Sequence, residues 1–306
     1  MQGQRWKDQQ ENPINAHGAG VLVYKNKYYL YGEIKKGKTT LVAGQSWPDY
    51  RVPAGGVSCY SSADLKHWNY EGVALSPDIA DTSNVLNTSR VIERPKVIFN
   101  EKTKKFVMWM HLDKNDYSFA HVGVAISDKP TGPFILTGSF LPNGNESRDM
   151  TVFKDSDDRA YLIYSSENNA TMHICRLSED YLTTTRVDKR IFVGLKREAP
   201  AIFKYKSKYY LITSKTSGWS PNAALCARAN NLMGNWKLLG NPCSGAKSAT
   251  TYDSQGAFIL PVANGKFIFM ADRWNMTDLE NSGYVWLPLV VQGDTVKIIC
   301  KDGVGS

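Results

Sequence analysis

One strand-like segment, rich in Tyr, Phe and β-branched residues, recurs five times along this chain. It reads Tyr28-Tyr29-Leu30-Tyr31-Gly32, then Phe106-Val107-Met108-Trp109-Met110, then Tyr161-Leu162-Ile163-Tyr164-Ser165. Tyr209-Tyr210-Leu211-Ile212-Thr213 and Phe267-Ile268-Phe269-Met270-Ala271 complete the series. A tight polar turn precedes each copy, at residues 25–27, 100–105, 155–159, 204–208 and 263–266, and another short apolar run precedes each turn. Such a pair reads as a β-hairpin. A third strand follows each hairpin, at 57–62, 122–127, 172–178, 224–229 and 284–289. After three of these a turn closes on an aromatic: Trp68, Phe134 and Trp236. Successive copies lie 78, 55, 48 and 58 residues apart, and no stretch has the period of an amphipathic helix. One small antiparallel sheet per repeat predicts an all-β fold, a five-bladed β-propeller, with residues 1–306 as a single domain.

In a propeller the innermost strands all begin around one central depression, so the residues that open them share a ring. Four residues before an apolar strand position stand His17, Glu93, Asp149, Glu198 and Gln255, ahead of Val21, Val97, Phe153, Ile202 and Ile259. A single polar residue at a strand end is ordinarily just solvated. Polar residues at one register in all the repeats, three of them acids, argue for a site. Carboxylates in an aromatic-rich pocket suit glycoside cleavage. One carboxyl must stay protonated to donate to the leaving oxygen, and burial or a neighbouring carboxylate raises its pKa. An inverting enzyme also needs a group that activates water, with roughly 6.5–9.5 Å between the two. Tyr117 and Trp219 offer flat faces for sugar rings, although each alone reads more readily as core.

Composition removes other classes. With 42% hydrophobic and 22% charged residues the chain is of ordinary folded type. No apolar run approaches the ~18 residues of a membrane-spanning helix. The net charge is +8, but Lys and Arg are scattered; the densest clusters, at 35–38 and 102–105, read as solvated hairpin turns. Neither nucleic acid nor membrane is expected as a partner, and a monomer is expected. The five cysteines form no C-x-x-C pair, which excludes a zinc ribbon or redox motif. Cys226 and Cys243 could pair, or stay as buried thiols. His17, His67, His111, His121 and His173 are dispersed, so no metal ligand and no cofactor is assigned. The N-terminal residues lack an apolar signal segment, and N-x-S/T sequons occur at Asn87, Asn145, Asn169 and Asn275. These features fit a mature secreted or periplasmic chain.

Several motifs narrow the reading. They are Ile14-Asn15-Ala16-His17-Gly18-Ala19-Gly20, Tyr31-Gly32-Glu33, Glu93-Arg94-Pro95-Lys96-Val97-Ile98-Phe99-Asn100 and Ser147-Arg148-Asp149-Met150. Further along stand Arg197-Glu198-Ala199-Pro200, Thr216-Ser217-Gly218-Trp219-Ser220-Pro221-Asn222, Gly240-Asn241-Pro242-Cys243 and Asp253-Ser254-Gln255-Gly256. On these motifs the chain resembles glycoside hydrolase family 43, inverting enzymes on a five-bladed propeller, from about Ile14 to the strand at 284–289. Within that family it is similar to the exo-β-1,3-galactanases (subfamily 24). Most of the family opens its first inner strand with a His-Asp-Pro-like motif whose Asp is the general base; here that position is Gly18.

The resemblance implies Glu198 as general acid, Asp149 as the carboxylate that tunes and orients it, and Gln255 in place of the missing base. Glu93 takes a third acidic position that holds sugar hydroxyls. Arg94, Glu33, His17, Tyr117, Asn169, Ser217 and Trp219 fall at substrate-binding positions by the same matching. If Asn169 lines the pocket, its sequon carries no glycan. Some relatives hold calcium or water on the axis, and a galactan-binding module often follows the propeller; neither is assigned to residues 1–306. The implied activity is removal of galactose from the non-reducing end of β-1,3-galactan or an arabinogalactan backbone. The alternatives are a sugar-binding propeller that has lost catalysis with its base, and an α-L-arabinofuranosidase or β-xylosidase of the same fold. The retained acid positions weigh against the first and Gly18 against the second. A sialidase is weaker still, since residues 62–68 match its aspartate box only loosely and that fold has six blades.

Overall fold

The computed structural model describes residues 5–262 and 265–300. These residues build five four-stranded antiparallel sheets arranged as a propeller. Blade 1 holds β1 (His17–Tyr24) and β2 (Lys27–Lys35). A small inserted ribbon of β3 (Thr40–Leu41) and β4 (Tyr50–Arg51) precedes its outer strands, β5 (Ala54–Ser62) and β6 (Asn69–Leu75). Blade 2 runs β7 (Val91–Phe99), β8 (Phe106–Asp113), β9 (His121–Ser127) and β10 (Ile135–Phe140). Blade 3 runs β11 (Met150–Lys154), β12 (Ala160–Ser166), β13 (Thr171–Leu177) and β14 (Thr184–Ile191). Blade 4 contains β15 (Arg197–Tyr205), β16 (Lys208–Lys215), β17 (Leu225–Ala229) and β18 (Lys237–Gly240). Blade 5 contains β19 (Gln255–Val262), β20 (Lys266–Arg273), β21 (Gly283–Gln292) and β22 (Thr295–Ile298).

The recurring aromatic segment is thus the second strand of every blade, and the hairpins fall where the turns predict them. In blade 1, Tyr24 pairs with Lys27 across Lys25 and Asn26, both at positive φ, as a two-residue turn matching the strand twist requires. Ala263 and Asn264 of the fifth expected turn lie outside the described residues. The outermost strand of each blade has no counterpart in the sequence reading. β6 and β18 are largely solvated, so their side chains carry little hydrophobic alternation, and β22, which does alternate, has only four residues.

Stability comes from apolar layers between blades. The second-strand aromatics and their neighbours interlock across each gap: Tyr31 and Cys59 meet Phe99, Met108 and Met110 between blades 1 and 2. Trp109, fully buried, packs with Val152, Leu162 and Tyr164 between blades 2 and 3, and its indole N–H donates to the Tyr181 carbonyl at 2.9 Å. Cys59, Cys175, Cys226 and Cys243 are buried free thiols, so the Cys226–Cys243 bridge is not formed.

The ring closes between blades 5 and 1. The Tyr284 hydroxyl accepts from the Ala16 N–H at 2.9 Å and donates to the Ile14 carbonyl at 3.1 Å. Asp272 takes the His17 ring at 3.0 Å and the Gly18 N–H at 3.0 Å. Trp109→Ala is expected to cost about 3–5 kcal/mol by leaving a cavity between blades 2 and 3. Ile79→Ala, at a residue 81% exposed, should stay within about 0.5 kcal/mol. Urea unfolding of both variants beside the parent checks the difference.

Candidate active site

The inner strands do not run straight into the axis. β1, β7 and β15 each break register just after His17, Glu93 and Glu198. In all three the next residue is left-handed: Gly18 (φ 54), Arg94 (φ 55) and Ala199 (φ 50). A bulge of this kind re-aims the side chains beside it. At residue 18 glycine is needed twice over, because a Cβ there would lie 2.5 Å from Glu33 Oε1. The Glu33 carboxylate therefore occupies the space that a side chain at position 18 would fill.

Glu33, Glu93, Arg94, Asp149, Glu198 and Gln255 converge on one cavity of about 520 Å³, joined at its rim by Tyr117, Asn169, Ser217 and Trp219. Arg94 organises one side. Its Nε donates to Asp149 Oδ1 at 3.1 Å, Nη1 to the Gly256 carbonyl at 2.9 Å and Nη2 to Gln255 Oε1 at 2.6 Å. The second oxygen of Asp149 accepts the Ala199 N–H at 2.9 Å, which ties it to the residue after Glu198. The Gln255 amide is fully engaged. Its oxygen also accepts from Trp274 Nε1 at 3.0 Å, and its nitrogen donates to Glu198 Oε1 at 2.9 Å and Ser214 Oγ at 3.1 Å. Because Arg94 and Trp274 can only donate, they fix which end of the amide is oxygen. Burial raises the Glu198 carboxyl well above its usual range, and the Asp149 charge adds to this against Arg94.

The opposite side of the cavity is held in the other protonation state. His111 lies 3.3 Å from Glu93 Oε2 through Nδ1 and 2.9 Å from Asp113 through Nε2. Burial opposes a charge on this imidazole, yet Asp113 and Glu93 push it up to about 9. Burial likewise opposes charge on Glu93, but His111, Lys35 and Arg51 hold its carboxyl well below the usual range. The Tyr117 hydroxyl donates to Glu93 Oε1 at 3.1 Å. Lys35 pairs with Glu33 at 2.7 Å and lies 3.7 Å from Glu93. Expected on a solvated turn, Lys35 is instead buried at the end of β2, where two carboxylates draw it inward.

His17 departs from its expected place. It lies in the ring of inner-strand ends but does not line the cavity. Its imidazole is consumed by Asp272 and stacks on Tyr284 at 4.9 Å, so it joins blade 1 to blade 5 instead of facing a ligand. At the rim, the Ser217 hydroxyl is tied within its own loop to Ser220 and Asn222. Asn169 Oδ1 and Trp219 Nε1 are buried without a hydrogen-bond partner. Among the described residues no group of three or more His, Cys, Asp or Glu is arranged to hold a metal ion.

Apart from Glu33, sequence reasoning missed the second tier. His111 pairs with Glu93, Glu33 with His17, Ser214 with Glu198 and Asp272 with Gln255 across each first hairpin. Hairpin register was the available signal: counting back through each turn from an inner-ring residue lands on a polar partner in the second strand. Trp47 and Trp274, by contrast, come from loops, and Arg51 from the two-residue strand β4, and none of these carries a periodicity.

Comparison with known proteins follows this geometry. The profile of Glycosyl hydrolases family 43 matches residues 11–266. No curated protein sequence matches the chain. A family 43 β-1,3-galactosidase solved with galactodeoxynojirimycin superposes with a TM-score of 0.90 at 36% identity, covering 99% of both chains. An exo-β-1,3-galactanase from Phanerochaete chrysosporium, solved with β-1,3-galactotriose, gives 0.88 at 40% identity over 97% of this chain and 66% of its own. One from Clostridium thermocellum gives 0.85 at 36% identity, over 97% of this chain and 64% of its own. With its propeller, its cavity of convergent carboxylates and these matches, the chain belongs to glycosyl hydrolases family 43.

Proposed function

We propose that the protein is an inverting exo-β-1,3-galactanase that releases galactose from the non-reducing end of β-1,3-galactan or arabinogalactan backbones. The observation that carries this reading is the pair of opposed carboxyl environments in one cavity: Glu198 raised, Glu93 lowered. A proton donor and a fixed anion in the same pocket are what glycoside cleavage needs and what sugar binding alone does not. The choice of galactan rests on the galactanase and galactosidase neighbours, among them an exo-β-1,3-galactanase at 40% identity. Such a polymer also implies work outside the cytoplasm, in keeping with a secreted or periplasmic chain.

In this mechanism Glu198 gives its proton to the galactosidic oxygen as the bond from the anomeric carbon breaks. Asp149 keeps that proton on Glu198 until it is needed, and Arg94 holds Asp149 in place. Glu93, kept anionic by His111, accepts hydrogen bonds from sugar hydroxyls. The unpartnered Asn169 Oδ1 and Trp219 Nε1 are further ligand contacts, since buried polar atoms ordinarily find a partner. Water attacks the anomeric carbon from the face opposite Glu198 and sheds a proton to solvent, from which Glu198 regains one, and hydrolysis leaves that centre inverted. The family's base position is Gly18, where Glu33 fills the space, and Gln255 is the residue taken to replace that base. An imidic O–H on Gln255 would face Arg94 and Trp274, neither of which accepts, so the amide form is favoured. Gln255 then works by orienting Glu198, to which its nitrogen donates, rather than by taking a proton.

Glu198→Gln should slow galactose release from β-1,3-galactobiose by about 100- to 10,000-fold, the usual span for losing a general acid. Near-parental turnover would remove Glu198 from that role. Binding of β-1,3-galactan with no reducing sugar formed by the parent protein would instead favour a non-catalytic binder. Asp149→Asn tests the tuning. An adjacent anion disfavours loss of the Glu198 proton, so its removal lowers that pKa, and the alkaline limb of kcat/KM should move to lower pH. A limb that stays in place means that Asp149 acts on orientation alone.

A further inference from the structure

The insertion between β2 and β5 does more than connect two strands of blade 1. Residues 36–53 rise from that blade and attach to three others. On blade 5, the Gly37 N–H donates to Glu280 at 2.9 Å, and the Leu279 N–H donates to the Thr39 hydroxyl at 2.9 Å. On blade 2, Gln45 donates to the Asp116 carbonyl at 3.2 Å. On blade 4, Trp47 lies against Gly218, where a Cβ would come within 2.7 Å of its ring. Gly218 also has φ +57, so space and backbone together call for glycine there. Blades 1 and 4 are not neighbours in the ring, so the Trp47–Gly218 contact reaches across the mouth of the cavity. Gln45, Ser46 and Trp47 accordingly line it.

A buried cation locks this strap in place. The Arg51 guanidinium lies 4.3 Å from the Tyr117 ring centre, 5.4 Å from Trp47 and 5.9 Å from Trp219. Asp49, fully buried, neutralises it at 2.5 Å. Desolvated stacking of this kind on several aromatic faces is among the stronger forms of cation–π contact. Tyr117 in turn donates to Glu93, which ties the strap to the Glu93 side of the cavity, while its tip at Trp47 reaches Gly218 of blade 4.

We propose that this strap, with Trp47 at its tip, is the wall that confines the site to a chain end. Resting on the galactanase reading, it names the element that sets exo action. A chain cut internally must enter and leave the active centre, which requires a groove open at two ends. The Trp47–Gly218 contact closes one of them, so a galactosyl unit bearing a further sugar beyond the strap has no path.

End-capped polymer tests this. Periodate cleaves neighbouring free hydroxyls, which the terminal unit of a β-1,3-galactan has and its internal 3-linked units lack; borohydride then fixes the capped end. Parent protein should release galactose from intact polymer and leave capped polymer essentially untouched. Trp47→Gly should raise the capped-to-intact rate ratio by about tenfold or more, with oligosaccharides among the products, since specificity is a ratio of kcat/KM values. Should Trp47→Gly cut intact polymer and leave the ratio unchanged, the wall assignment is overturned. Trp47→Leu, which keeps the Arg51–Asp49 lock, guards against a folding defect. Loss of activity on both polymers in this variant, with parental thermal stability, would make Trp47 a sugar platform and also overturn the wall. Failure of the parent protein on intact polymer would strike the galactanase reading instead.

Discussion

The Arg94 guanidinium is the buried charge on which the site hangs. It stands left-handed at the bulge of β7 and bonds to Asp149 of blade 3 and to both Gln255 and the Gly256 carbonyl of blade 5. A cation this deep is tolerated only because acceptors surround it, and losing one partner would leave an uncompensated charge. Two residues on, Lys96 adds a second axial cation that donates to the Gly18 carbonyl at 2.7 Å, and burial, then Arg94, push its ammonium down to about 7. The inner strands of the propeller are thus joined at their centre by polar bonds, while apolar layers join the blades farther out.

Around that centre the cavity separates its carboxyl groups by environment. Glu198 has few charged partners to offset its burial and sits beside the Asp149 anion, so its neutral form is favoured. Glu93 is buried too, but His111, Lys35 and Arg51 overcome the desolvation. Behind His111, Asp113 accepts the N–H groups of Lys114, Phe119 and Ala120, which makes it a rigid anchor for the imidazolium. The same residue type serves opposite purposes because of what packs against it.

Much of this was legible in the chain. The repeat of second-strand aromatics predicted the blade count, and an equal offset from the apolar positions placed Glu93, Asp149, Glu198 and Gln255 around one cavity. The same offset misled at His17, because no local pattern reveals that Asp272 lies beside it. Lys35 looked like a solvated turn residue, since its partners Glu33 and Glu93 are gathered by hairpin pairing and blade packing. Outer strands such as β6 and β18 were invisible, being mostly exposed.

By itself the sequence determined what is local: hairpins, blade number and the register of the inner ring, because pairing and alternation repeat every two residues and need no distant partner. Tertiary structure alone decided which polar groups reach the cavity, which are protonated and how the mouth is closed. Those outcomes rest on contacts such as Arg94 with Gln255 and Trp47 with Gly218. Such contacts join residues far apart in the chain, and only closing the ring brings them to one axis.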